Sequence, residues 1–186
     1  MKYLVFLLFW LPIRTFATDP VVYFSPSFEC ENALTERIRK AENQIDIAVY
    51  SINNPRLIGA LKEAFLSGKK VRVLTDGNQA KTPYSRIFEL EKIGISVVRT
   101  SEKQTMHDKF AVFDGKRAVS GSFNWTQAAT YKNTENCVLF DENPQTVQAY
   151  QKRFDELWNL FSLALKQQKS QSGSQRDNDN RMESIF

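Results

Sequence analysis

Histidine is almost missing from this chain of 186 residues: the only one is His107. A reaction that needs two imidazoles must therefore take the second from another chain. Cysteine occurs twice, at Cys30 and Cys137, which excludes a disulfide-dense scaffold and a four-cysteine zinc site. The two permit one intramolecular bridge, and the sequence leaves open whether it forms. With 7 Gly and 6 Pro against 14 Phe, the chain is neither collagenous nor of low complexity. No charge of one sign dominates either, since 25 Lys and Arg stand against 21 Asp and Glu. A polyanionic partner would have to be met by local clustering rather than by net charge. What remains is the composition of one globular domain.

The ends of the chain differ from its body. Lys2 precedes the apolar run Tyr3–Leu11, Pro12 breaks the run, and Thr15-Phe16-Ala17 has small residues where a signal peptidase reads. The run is about half the ~20 residues that a spanning helix needs. Residues 1–17 are therefore expected to be a signal peptide, with the protein exported to the periplasm or secreted. Its removal takes away Lys2 and Arg14 and brings the chain close to neutrality. At the other end, residues 166–186 are rich in Gln, Ser, Asn and Asp, with almost nothing apolar to offset the entropy of ordering them. A disordered polar tail is expected there, which leaves residues 18–165 as the domain.

Within that domain strand and helix patterns alternate. Val21–Phe24, Gln44–Ile52, Val71–Thr75 and Ile95–Val98 read as strands. Between them, Ala33, Leu34, Ile38 and Ala41 recur at helical spacing, Asn54-Pro55 opens a second helix, and Tyr84–Ile93 reads as a third with Ile87, Phe88 and Leu90 inward. The β-α-β order predicts an α/β fold with a mixed, largely parallel sheet and helices on both faces. Three shorter strands follow, at Lys109–Phe113, Arg117–Ser120 and Cys137–Phe140, with Asp114-Gly115 as a hairpin turn between the first two. A helix from about Pro144 to Leu165 carries the stripe Val147, Tyr150, Phe154, Leu157, Trp158, Phe161 and Leu165.

Chemistry concentrates in residues 107–124, HDKFAVFDGKRAVSGSFN. His107 and Lys109, two apart, share a face in extended backbone. The hairpin brings Gly121, Ser122 and Asn124 back beside them. One small region then holds an imidazole, an ammonium, a hydroxyl and a carboxamide. Lysine offers a point charge to non-bridging phosphate oxygens, Ser and Asn offer hydrogen bonds, and Gly121 allows close backbone approach. The imidazole is free to act as a nucleophile.

The pattern H-x-K-x4-D-x6-G-S-x-N, formed by His107, Lys109, Asp114, Gly121, Ser122 and Asn124, resembles the signature of the phospholipase D superfamily. QIDIAVYSI, KKVRVLTDGNQA and NTENCVLFD are similar to its flanking strands, so the resemblance runs from about Val21 to Leu165. With one motif in a small chain, it is most like the exported single-motif bacterial endonucleases. The resemblance implies a two-step displacement through a phosphohistidine, with a second histidine as acid and then base, and with no metal or other cofactor. His107 being alone, that implies a homodimer with a composite site on its two-fold axis. The motif carries Asp114 with the catalytic set. Its odd spacing from His107 instead suggests a part in holding the turn. In the resembling endonucleases an acidic residue at the place of Glu135 bonds the other histidine nitrogen; a surface carboxylate is the alternative.

Three substrate readings stay open. Nucleic acid is favoured by Lys69, Lys70, Arg72, Arg99, Lys103, Lys116, Arg117 and Lys132, read as a basic surface near the site. A phospholipid headgroup would need an apolar rim, and Phe110, Phe113, Phe123 and Trp125 read as core instead. A non-catalytic phosphate-backbone binder would not require the imidazole.

Overall fold

The computed structural model describes residues 19–183, with side chains to residue 167. The expected leader, residues 1–17, lies outside the described residues. The elements are β1 (Val21–Ser25), α1 (Glu29–Lys40), β2 (Gln44–Val49), α2 (Pro55–Leu66), β3 (Lys70–Thr75), α3 (Gly77–Ala80), α4 (Ile87–Lys92), β4 (Ser96–Arg99), β5 (Lys109–Phe113), β6 (Arg117–Gly121), α5 (Gln127–Tyr131), β7 (Glu135–Asp141) and α6 (Pro144–Glu183). The strands form one mixed sheet in the order β1-β7-β6-β5-β2-β3-β4.

The α/β class and the helices on both faces are as expected, but the balance of strand directions is not. Only β2-β3 and β3-β4 are parallel; the pairings of β1, β7, β6, β5 and β2 are all antiparallel. The antiparallel run of β7, β6 and β5 against β2 is one reason, and the first strand is the other. Instead of joining the β-α-β series it crosses to the far edge and pairs antiparallel with β7, Val21 opposite Leu139 through Ser25 opposite Glu135.

Side chains alternate across the sheet, as pleating requires. Ile45, Ile47, Val49, Val71, Val73, Ala111 and Phe113 face α1 and α2 in one core, while Ala48, Leu74, Phe110, Val112 and Ala118 face α6 in the other. The α6 stripe packs as its spacing predicts: Val147, Phe154, Leu157 and Phe161 are buried, with Tyr150, Trp158 and Leu165 against them. Phe110, Phe113, Phe123 and Trp125 are core residues. Phe88 is not, being 71% exposed; Ile87 and Leu90, three apart, share the inward face of α4, and Phe88 lies a step round the helix from it. The α6 backbone stays helical through Glu183, past Leu165 and through most of the stretch expected to lack regular structure. Once nucleated, a helix adds one hydrogen bond per residue, and this stretch contains no proline to stop it.

Cys30 of α1 and Cys137 of β7 form a disulfide, with Cα atoms 6.0 Å apart, and so tie the helix layer to the sheet. Among the described residues, no helix is long and apolar enough to cross a membrane.

Candidate active site

The antiparallel strands around β5 decide where the site forms. Lys109 opens β5, opposite Val49 at the end of β2; Gly121 closes β6, and Glu135 opens β7. The three therefore meet at one end of the sheet. His107 lies just before β5, and Ser122 and Asn124 follow β6. Together His107, Lys109, Gly121, Ser122, Asn124 and Glu135 line an open depression of about 410 Å³. The structure thus collects residues that are 28 positions apart at their extremes.

Lys109 is the buried member. Its Nζ lies 2.9 Å from His107 Nδ1 and donates to the His107 carbonyl at 2.6 Å. An ammonium only donates, so Nδ1 is the acceptor here, and a neutral imidazole then carries its proton on Nε2. Burial disfavours the charged form of Lys109, while the carboxylates of Glu135 and Asp108 favour it; the balance lies below the usual lysine range.

Gly121 has φ near +150°, and a Cβ there would stand 2.3 Å from the Asn136 carbonyl oxygen. Only glycine allows β6 and β7 to close this tightly. The Asn136 carbonyl accepts the N–H groups of Ser122 and Phe123, and Ser122 Oγ accepts the N–H of Asn136. The loop is pinned again where Trp125 donates to the Ser51 carbonyl and accepts from Asn53 and Asn54. Asn124 Oδ1 is buried with no hydrogen-bond partner among the described residues. Such a group costs about 1–3 kcal/mol, and it lies in the lining of the depression.

Two expectations are corrected. Asp114, carried with the catalytic residues by the motif, is at the opposite end of β5. Its carboxylate accepts the backbone N–H groups of Glu42, Asn43 and Gln44 at 2.8, 2.8 and 2.9 Å. It is a turn-holding residue, as its odd spacing suggests. The eight basic residues do not form one surface. Lys69 and Lys70 lie at the start of β3 and Lys116 and Arg117 at the β5–β6 turn, all at the end of the sheet away from the depression. Arg72 is half-buried against Asp46 and Asp155, and Arg99 pairs with Glu91. Lys103 and Lys132 remain exposed on loops at the site end. Parity along a strand fixes faces, but only the sheet order fixes which ends are neighbours. Glu135 does line the site. Its carboxylate accepts the Asn133 side-chain amide at 3.0 Å, while Lys109 occupies the imidazole nitrogen expected to meet it.

The family model described as "Cardiolipin synthase, PLD-like domain" matches residues 34–158. The chain belongs to the phospholipase D superfamily. Members of the superfamily that it resembles are named as hydrolases. A mitochondrial cardiolipin hydrolase of Xenopus laevis is 31% identical over 165 residues, covering 83% of this chain and 77% of that protein. A relative of the same name in Chlamydomonas reinhardtii is 36% identical over 121 residues, and the match spans 54% of its length. A phospholipase D of Rickettsia typhi is 32% identical over 139 residues, covering 75% of this chain and 65% of that protein. The crystal structure of Nuc, a phospholipase D family member from Salmonella typhimurium, superimposes with a TM-score of 0.70 at 27% identity, covering 76% of this chain and 95% of that one.

One site residue escaped the sequence reading. Tyr50, just beyond β2, has its ring centroid 4.6 Å from that of His107 and 5.0 Å from Lys109 Nζ. The signal was its place at the end of a buried strand, where α/β sheets present their functional side chains.

Proposed function

We propose that this phospholipase D superfamily hydrolase is a metal-independent phosphodiesterase that cleaves the backbone of nucleic acids through a phosphohistidine. The observation that carries the reading is the lining of the depression. It offers an imidazole, an ammonium, a hydroxyl, a carboxamide and a carboxylate and, among the described residues, no apolar side chain that would receive an acyl chain.

In the first step a ring nitrogen of His107 bonds to phosphorus as the bond from phosphorus to the leaving oxygen breaks. A second imidazole gives that oxygen its proton. In the second step water attacks phosphorus and passes a proton to the second imidazole. The N–P bond breaks, releasing a phosphomonoester and restoring His107. Lys109 meets the non-bridging oxygens, and in moving onto them it frees Nδ1 of His107. The ring proton then shifts through solvent from Nε2 to Nδ1, where Glu135, in the same lining, accepts its hydrogen bond; that tautomer leaves Nε2 unprotonated for attack. With one histidine per chain, the second imidazole is that of another copy, which makes the working unit a homodimer. Export is part of the proposal, supported by residues 1–17 and by the Cys30–Cys137 bridge.

A phospholipid substrate is the second reading. It is favoured by the names of the relatives and by an exposed aromatic pair, Phe28 and Tyr131, whose rings stand edge to face 5.3 Å apart. Tyr131 is two residues from Asn133, the partner of Glu135.

The test is cleavage of plasmid DNA, RNA and phosphatidylcholine or cardiolipin vesicles in excess chelator. Nicked nucleic acid that disappears in His107→Ala is the expected result. Inert nucleic acid beside released headgroup would move the assignment to the lipid.

A further inference from the structure

The motif accounts for the groups that touch phosphate but not for what holds them in place. His107 is exposed and precedes its strand, so β-ladder bonds do not orient its ring. The described ring contact of the imidazole is Tyr50, tilted at 56°. The same ring lies under Lys109 Nζ, in range of a cation–π attraction, which strengthens where the cation is poorly solvated.

Tyr50 is itself held from both ends. Its backbone N–H donates to the Asp108 carbonyl at 3.0 Å, and its hydroxyl accepts from Gln79 Nε2 at 3.0 Å. Gln79 belongs to α3, whose N-cap is the buried Asp76. One Asp76 oxygen accepts the N–H groups of Asn78 and Gln79, at 3.0 and 2.9 Å. The other accepts the N–H of Met106, at 3.1 Å, immediately before His107. One buried carboxylate thus joins the support of the Tyr50 ring to the backbone that carries the imidazole.

We propose that Tyr50 is a positioning residue of the reaction: its ring is the seat that orients His107 and keeps Lys109 a cation, and Asp76, through Gln79 and Met106, holds seat and imidazole in register. The proposal rests on the phosphodiesterase reading for its kinetic consequences but not for its structural ones. Other charged groups face Lys109. Glu135 from β7 and Asp108 from its own segment favour its charge, and Asp108 is itself 3.7 Å from Arg153 of α6. The Tyr50 contribution must therefore be separated by substitution.

The experiment compares the wild type with Tyr50→Phe and Tyr50→Leu, using bis(4-nitrophenyl) phosphate in chelator over a range of pH. Phe keeps the ring but loses the Gln79 bond to its hydroxyl, so it should lose less than about tenfold in kcat, falling between the wild type and Leu, with the alkaline limb of the wild type. Leu removes the ring and should lose roughly ten- to a hundredfold in kcat with little change in KM. Its alkaline limb should fall by about one pH unit as Lys109 loses its proton more easily. A second readout needs no turnover. Prepared without a histidine tag, the chain has one imidazole, so NMR follows His107 alone. Its ring protons should be shifted upfield by the aromatic neighbour in the wild type and in Tyr50→Phe, and relax downfield in Tyr50→Leu.

A folded Tyr50→Leu with wild-type kcat and alkaline limb overturns the proposal, as does a Tyr50→Phe no better than Leu. Tyr50→Met takes the place of Leu if Leu does not fold, with the same outcomes. Wild-type protein inert toward every phosphodiester would sink the functional reading alone, and the NMR shift would then judge the seat by itself.

Discussion

The carboxylate of Asp114 accepts three backbone N–H groups and so fastens the β5–β6 turn to the turn that precedes β2. Burial pushes this carboxyl upward, but the bonds from Gln44, Glu42 and Asn43, with Lys116 nearby, more than offset it and hold the carboxyl below its usual range. A depressed folded value means that its stabilisation is fully present above the ordinary aspartate pKa and is lost as pH falls through the folded one. Asp114→Asn should therefore lower stability at pH 7 by about 1–3 kcal/mol, since fewer of the three donors stay satisfied. It should also flatten the acid limb of a urea-denaturation series taken from pH 7 down to pH 2. Turnover per folded molecule should hold, because the residue sits at the end of the sheet away from the depression. A loss of turnover without loss of stability would return Asp114 to the catalytic set.

At the scale of elements, α6 is clamped to the sheet by charge as well as by its apolar stripe. Asp46 of β2, fully buried, receives both Arg72 Nε at 2.7 Å and Nη2 at 2.8 Å, and also Gln151 of α6 at 2.8 Å. Arg72 reaches on to Asp155 at 2.9 Å and lies over the rings of Phe154 and Trp158. Removing Asp46 leaves the Arg72 charge with Asp155 as its remaining carboxylate and the Gln151 amide without its acceptor on β2. Asp46→Ala should destabilise the fold by about 3–5 kcal/mol, read as a shift in denaturation midpoint. Arg72→Met with Asp46→Leu together should recover much of that loss, because a well-packed apolar pair replaces the buried ions. If the double variant were no better than the single, the cluster would be stabilising through more than its charge balance.

On the scale of the whole molecule, the proposed mechanism makes assembly part of the chemistry, because each chain has a single histidine. In a two-fold dimer with one shared site, each site needs His107 from both copies. Co-expression of wild type with His107→Ala in equal amounts should then leave about a quarter of the wild-type activity, because only the unmixed dimer retains both rings. A monomeric protein would retain half. Sedimentation at assay concentration checks the assembly directly.

The sequence by itself determined the family motif and most of the elements. His107, Lys109, Ser122 and Asn124 were legible as one cluster because their spacing matches the superfamily motif and the hairpin brings them together, and the α6 stripe because helical periodicity is a local property of the chain. The Cys30–Cys137 bridge, the edge position of β1, the burial of Arg72 and the place of Tyr50 were settled only by the tertiary structure. Each depends on which strands lie side by side, and strand order is a long-range choice that neither pattern nor parity along one segment contains. The basic residues show this most plainly: their charges can be counted in the sequence, but a sheet has two ends, and only its folding divides them.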